Sequence, residues 1–102
     1  MKIKRIRALA DVQFDLEEGD SFYEFQSPGL GQYFRDSLLA DFQSLFLYAG
    51  IHSKRYGFYR MHANRFPYAI YYQIQGDDVI IVAVLDMRQN PSRTRSRLHS
   101  RR

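Results

Sequence analysis

RFPYAIYY, Arg65 to Tyr72, runs on through QIQGDDVIIVAVLDMRQNP to Pro91, and this stretch decides the fold. Two runs of aromatic and β-branched residues are separated by Gly76-Asp77-Asp78, which predicts two adjacent strands joined by a tight turn. The first strand is expected over Phe66 to Gln75 and the second over Val79 to Met87. In the second strand every position from Val79 to Leu85 is apolar. Strict alternation places Ile80, Val82 and Val84 on one face and Val79, Ile81, Ala83 and Leu85 on the other. A strand apolar on both faces needs cover on both sides.

Upstream lies the cover for one face. From Ala8 to Gln26 the residues Leu9, Val12, Leu16 and Tyr23 recur at helical spacing, and Gly19 fills the missing place in that row. A glycine there weakens the helix by about 1 kcal/mol relative to alanine and marks a close helix contact. Ser27-Pro28-Gly29 breaks the helix. A second helix is expected from Gly31 to Tyr48, on the apolar row Leu30, Phe34, Leu38, Phe42 and Leu45, with Gly50 as its stop. So short a break makes an antiparallel hairpin. A further strand is expected from Tyr56 to Ala63, and Lys2 to Ile6 is at best a short edge strand. The fold class is therefore α+β: an N-terminal helical hairpin on one face of a small, mainly antiparallel sheet of three to four strands. Cover for the opposite face is expected from outside the chain, through Ile81, Ala83 and Leu85, because a tail as basic as Pro91 to Arg102 is a poor core-former. The alternative is that turns, aromatics and the N-terminal segment fold over it.

Charge divides the chain unevenly. Residues 88–102 hold six arginines and no acid, whereas residues 1–87 hold nine Lys or Arg against eleven Asp or Glu. Residues 11–41 carry eight acids and only Arg35, and no acid occurs from Phe42 to Gly76. Acidic helices, a basic sheet and a very basic tail suit a polyanionic surface or an acidic partner on the basic side. Residues 1–90 are expected to form one domain and 91–102 a basic, flexible tail, at most a frayed helix, because no apolar periodicity survives beyond Leu98. With no cysteine there is no disulfide framework or thiolate site. MKIKRIR is followed by no apolar segment of the kind a secretory signal carries. No apolar run approaches the roughly 20 residues of a membrane span. The expected setting is the cytoplasm.

The block from Arg65 to Pro91 resembles the RelE/ParE superfamily, the toxins of bacterial type II toxin–antitoxin (plasmid stabilisation) systems. The shared pattern is arginine, Phe66-Pro67-Tyr68, a β-branched and aromatic run, a short acidic or glycine turn, an apolar strand, then Arg88-x-x-Pro91. Pro28-Gly29-Leu30-Gly31 is similar to the turn between the family's two helices, and the matches together span most of residues 8–91. The resemblance implies a toxin neutralised by a cognate antitoxin, alone or as a homo- or hetero-oligomer. Its ParE-like branch inhibits DNA gyrase by binding rather than by chemistry. Its RelE-like branch cleaves mRNA on the ribosome, and Lys54, Arg60 and Arg88 match the basic positions of that branch. The RelE-like acid/base near the C-terminus has no match here, since Gln89, Asn90, Pro91, Ser92 and Arg93 follow Arg88. That favours the ParE-like branch. Asp86 stands where many relatives have histidine. An inactive relative that binds only antitoxin or nucleic acid is a further alternative.

Whether the protein is an enzyme is left open by the residues. His52, His62 and His99 lack the spacing of a metal site, so neither metal nor cofactor is expected. Metal-free RNA cleavage needs a base, an acid and cations for the phosphorane. Arg60, His62 and Arg88 are the candidates, because Arg60 and His62 share a strand face. Contacts to a gyrase or ribosome target are expected from Arg60, Arg65, Arg88 and Arg93, and antitoxin contacts from Ile81, Ala83 and Leu85. Tyr68, Tyr71 and Tyr72 beside Arg65 suit either base stacking or core packing.

Overall fold

A computed structural model of the chain describes residues 2–102. Strand β1 (Arg5–Ala8) leads into helices α1 (Asp11–Gln26) and α2 (Leu30–Tyr48). Strands β2 (Lys54–Arg55), β3 (Phe58–His62), β4 (Tyr68–Gln75) and β5 (Asp78–Asp86) follow, and helix α3 (Pro91–Ser100) ends the described chain. The sheet order is β1-β5-β4-β3-β2, with β1 parallel to β5 and the other neighbours antiparallel. Five strands thus replace the three to four expected. The edge strand expected over Lys2 to Ile6 forms at Arg5–Ala8, and the addition is the two-residue β2, too short to show a period-two pattern.

The helical hairpin packs where its sequence rows predict. Val12 and Tyr23 of α1 join Phe34, Leu38, Phe42 and Leu45 of α2 over Met61, Tyr68, Ile70, Tyr72, Val79, Ile81 and Val84. Gly19 is the point of closest approach, because a Cβ there would run into the Phe34 ring. Glu24 closes the hairpin turn: its carboxylate accepts from the amides of Gly29 and Gly31, each at 3.0 Å, and so caps the start of α2. Gly29, at φ 90°, supplies the left-handed residue the turn needs. Helix α1 starts at Asp11 rather than Ala8, because Ala8 still pairs with Ile81 and the Leu9 amide donates to the Ile81 carbonyl at 2.9 Å.

Strict alternation along β5 fails at one place. Tyr71 pairs with Ala83 but Tyr72 pairs with Ile81, so Val82 is an extra, bulged residue. A bulge shifts the parity of the strand by one. Val79, Ile81 and Val84 therefore face the helical hairpin, while Val82, Ala83 and Leu85 face the other way. The expected trio of Ile81, Ala83 and Leu85 is divided between the two faces.

The second face is closed by the chain's own C-terminal segment. Residues 91–100, expected to belong to a flexible tail, form helix α3, whose Leu98 is buried against Phe58, Ala69, Tyr71, Val82, Ala83 and Leu85. Asn90 caps it by accepting from the Ser92 amide at 2.9 Å, and Pro91 occupies the first helical position, where a missing N–H costs nothing. A basic segment can cover an apolar face here because it offers one leucine and turns its arginines outward or onto carboxylates.

Candidate functional site

The bulge, the edge of β5 and helix α3 meet at one point. Strand β1 pairs with β5 only as far as Ile81. Beyond it the Val84 amide donates to Asp15 Oδ2 at 2.9 Å, and Arg101 Nη1 donates to the Val82 carbonyl at 3.1 Å. Arg101 also grips both oxygens of Asp15, at 2.5 and 2.7 Å. The Asp15 side chain is fully buried and that of Arg101 is 8% exposed. A bidentate pair so enclosed takes the place of the missing strand partner on the β5 edge. The hydrogen bond with Asp15 is the largest cause that raises the Arg101 guanidinium above its ordinary value. Arg97 adds a contact to Glu18 at 3.0 Å. Asp15 and Arg101 were not among the sequence candidates. The only sequence signal was an acid next to the apolar row of α1.

Arg88 is held at the far end of β5. It donates to Asp86 from Nε at 2.9 Å and from Nη2 at 2.8 Å, and lies over the Phe22 ring of α1. Its Nη2 also reaches the Tyr23 hydroxyl at 3.4 Å. Partial burial pushes the Asp86 carboxyl up, but hydrogen bonds from the Arg88 side chain and amide outweigh it and hold the group below the usual carboxylate value. Nearby, burial first and then the Asp86 charge push the Tyr68 hydroxyl up to about 12. Asp86 is thus the partner that fixes Arg88.

The remaining candidates scatter. Arg60 stands opposite Tyr71 in the β3–β4 register, and the Tyr71 ring packs in the cluster under α3. His62 is exposed at the end of β3. Arg60 and His62 thus share a strand face, as their spacing predicts, but Arg88 turns to α1 on the helical side. The three candidates for RNA cleavage are not brought together. Arg65 donates to the Tyr33 hydroxyl at 2.6 Å on the rim of α2. Arg93 is exposed on α3. Of the candidates for antitoxin contact, Ala83 and Leu85 are buried under α3 and Ile81 under the hairpin. His52 instead pairs with the buried Tyr72 hydroxyl at 2.5 Å. No group of His, Cys, Asp and Glu suited to hold a metal ion occurs among the described residues. No helix among them is long and apolar enough to cross a membrane.

Sequence reasoning also missed an exposed aromatic face. Phe14, Phe22 and Phe25 of α1 stand out from the buried row, Phe25 at 94% exposure, among Asp11, Glu17 and Glu18. Their spacing of eight and three residues places them on one side of a helix, and that periodicity was available in the sequence.

Residues 6–91 match the family model described as ParE toxin of the type II toxin–antitoxin system, parDE. The chain belongs to the ParE toxin family. Among solved structures, a chain of the chromosomal ParDE toxin–antitoxin system from P. aeruginosa superimposes with a TM-score of 0.71 at 14% identity, covering 80% of this chain and 94% of that one. At that identity the likeness speaks for the ParE fold: helical hairpin, antiparallel sheet and order of elements. Comparison with curated proteins finds no match. The family match ends at Pro91, the first residue of α3, so Leu98 of that helix and Arg101 at its C-cap lie beyond it in this ParE-family chain.

Proposed function

We propose that this ParE-family protein inhibits DNA gyrase in the cytoplasm and is neutralised by a cognate antitoxin. The observation that carries the reading is the family match over residues 6–91, on a fold shared with a chain of a ParDE system. Inhibition is by binding. The separation of Arg60 and His62 from Arg88 supports this, since general acid–base cleavage needs its groups within hydrogen-bond reach of one phosphate. Target contacts fall to the exposed Arg65 and Arg93, with Arg60 and Arg88 as anchors whose orientation Tyr71 and Asp86 set. An antitoxin reaches Ala83 and Leu85 only by lifting α3, and Ile81 lies out of reach under the hairpin. The exposed Phe14, Phe22 and Phe25 are the larger accessible surface for it.

The test is a supercoiling assay with purified gyrase and the full chain, run beside a translation extract with a reporter mRNA. Loss of supercoiling, relieved by the antitoxin encoded with the toxin and with the mRNA intact, is the expected result. Untouched supercoiling at micromolar protein sinks the gyrase reading. Codon-positioned cleavage of the mRNA, lost in Arg60→Ala, replaces it with the nuclease.

A further inference from the structure

Six of the twelve arginines meet a carboxylate among the described residues, and of the other six Arg65 and Arg93 stand apart while four gather in one place. Arg5, Arg7, Arg35, Arg88, Arg97 and Arg101 each meet a carboxylate. Arg55, Arg60, Arg95 and Arg102 meet none among the described residues, yet they converge on one place. Arg55 and Arg95 both lie over the Tyr56 ring, at 5.5 and 5.8 Å from its centroid. Arg102 lies 5.0 Å from the Phe58 centroid and donates to the Tyr56 carbonyl. Arg60 stands opposite Tyr71 in the β3–β4 register, and burial raises the Tyr71 hydroxyl while Arg60 and Arg55 oppose the rise.

The backbone at the centre is also unusual. Arg55 pairs with Phe58, so Tyr56 and Gly57 form a two-residue hairpin loop with φ 57° and 85°. Such a loop favours asparagine, aspartate or glycine at its first position, and tyrosine there is strained. Strain of this kind collects at binding sites, where the surroundings hold it in place. Here the surroundings are three guanidinium groups, those of Arg55 in β2, Arg95 in α3 and Arg102 two residues beyond α3. Four like charges held around two tyrosines, in a stretch of sequence without acids, repel one another until an anion enters. A planar guanidinium fork matches phosphate oxygens, and a half-exposed tyrosine ring offers a base a face.

We infer that Arg55, Tyr56, Arg60, Tyr71, Arg95 and Arg102 form a binding site for the phosphodiester backbone of nucleic acid. The site lies on the β2 side of the sheet, opposite the β1 edge, and it does not require gyrase to be the toxin's target. A toxin that grips a nucleic-acid strand beside its protein target would be concentrated wherever that target holds nucleic acid.

The test is fluorescence anisotropy of a labelled oligonucleotide, single-stranded in one arm and duplex in the other, titrated with the full chain at rising salt. With three to four phosphates neutralised, log K should fall against log salt with a slope of about −2 to −3.5. Changing Arg55 and Arg95 together to glutamine should weaken binding at low salt by about tenfold or more, and flatten the slope by roughly 1.5. Two arms guard against trivial causes. Arg55→Lys with Arg95→Lys keeps the charge and should retain most of the slope. Lys2→Gln with Lys4→Gln removes as much charge at the opposite edge and should change affinity by no more than about twofold, because screening confines exposed charges to about 10 Å. Binding in either arm with this pattern supports the site, and the tighter arm identifies the form it takes. Absence of binding at low salt, or equal losses in the two glutamine variants, overturns it. So does a polyglutamate peptide that competes through the same two arginines, which would make the cluster a dock for an acidic protein segment.

Discussion

The two faces of the sheet are covered by opposite means. On one, the hairpin of α1 and α2 lays down Val12, Tyr23, Phe34, Leu38, Phe42 and Leu45, and burial of apolar area supplies the stability. On the other, a ten-residue helix of mostly serine and arginine contributes Leu98 and Thr94, and Arg101 at its C-cap grips Asp15. The first cover is broad, so any one of its contacts is a modest part of the whole. The second is narrow and depends on a few groups, one of them an ion pair that also satisfies the backbone of a bulged strand. A narrow, ionic cover is the part of the fold that a partner or a change of conditions can lift without unfolding the rest.

The sharpest way to break this comparison is to remove one group from each cover. Phe34→Ala empties a fully buried site and should cost about 3–5 kcal/mol in urea unfolding. Asp15→Ala leaves the enclosed Arg101 with only the Val82 carbonyl and a 3.7 Å contact to Asp11, and the Val84 amide without an acceptor, and should cost a similar 3–5 kcal/mol. The two differ in what rescues them. Adding Arg101→Leu to Asp15→Ala should restore part of the loss, since it removes the stranded buried charge while the Val84 amide stays unpaired. A loss below about 1 kcal/mol for Asp15→Ala would mean that α3 is not held as described.

A smaller effect separates local from global stability. Asn90→Ala removes the cap of α3 and should cost about 1 kcal/mol. Because α3 is the narrow cover, the loss should appear first as faster amide exchange in residues 93–100 while β4 and β5 keep their protection. Equal acceleration in α3 and β5 would show that the helix opens only when the whole domain does.

The same contrast explains what the sequence could tell. The hairpin was legible because a broad apolar cover needs a repeated row, and Val12, Leu16, Gly19 and Tyr23 supply one. The turn at Gly76 and the two long strands were legible for the same reason. Helix α3 was not, because a single leucine has no period and its ionic partner lies 86 residues away in sequence. Nor was the bulge at Val82, since every position near it is apolar and none reports which face it takes. The candidate site follows suit. Arg60 and His62 share a face because spacing on one strand is local. Arg88 parts from them because Asp86 and Tyr23 capture it beyond the end of the strand.

The smallest prediction concerns the only histidine bound into the helical side. The Tyr72 ring packs in the hairpin cluster, and its hydroxyl receives the Gly50 amide at 2.9 Å while meeting His52 Nδ1. With the amide already donating to it, the hydroxyl gives its proton to Nδ1, which requires neutral imidazole. Burial lowers the His52 value below the ordinary 6.5. The unfolded chain therefore binds more protons than the folded one below that value. His52 contributes fully above pH 6.5, and its contribution is lost as pH falls through the lowered folded value. The urea midpoint should accordingly be lower at about pH 5.5 than at about 7.5, and His52→Gln should flatten that difference. The change is small because the ring is only partly buried. Should His52→Gln leave the pH profile unchanged, the clamp on Tyr72 is not a titrating one, and the broad cover owes nothing to protonation. The sensitivity of this fold to its surroundings would then lie wholly with α3.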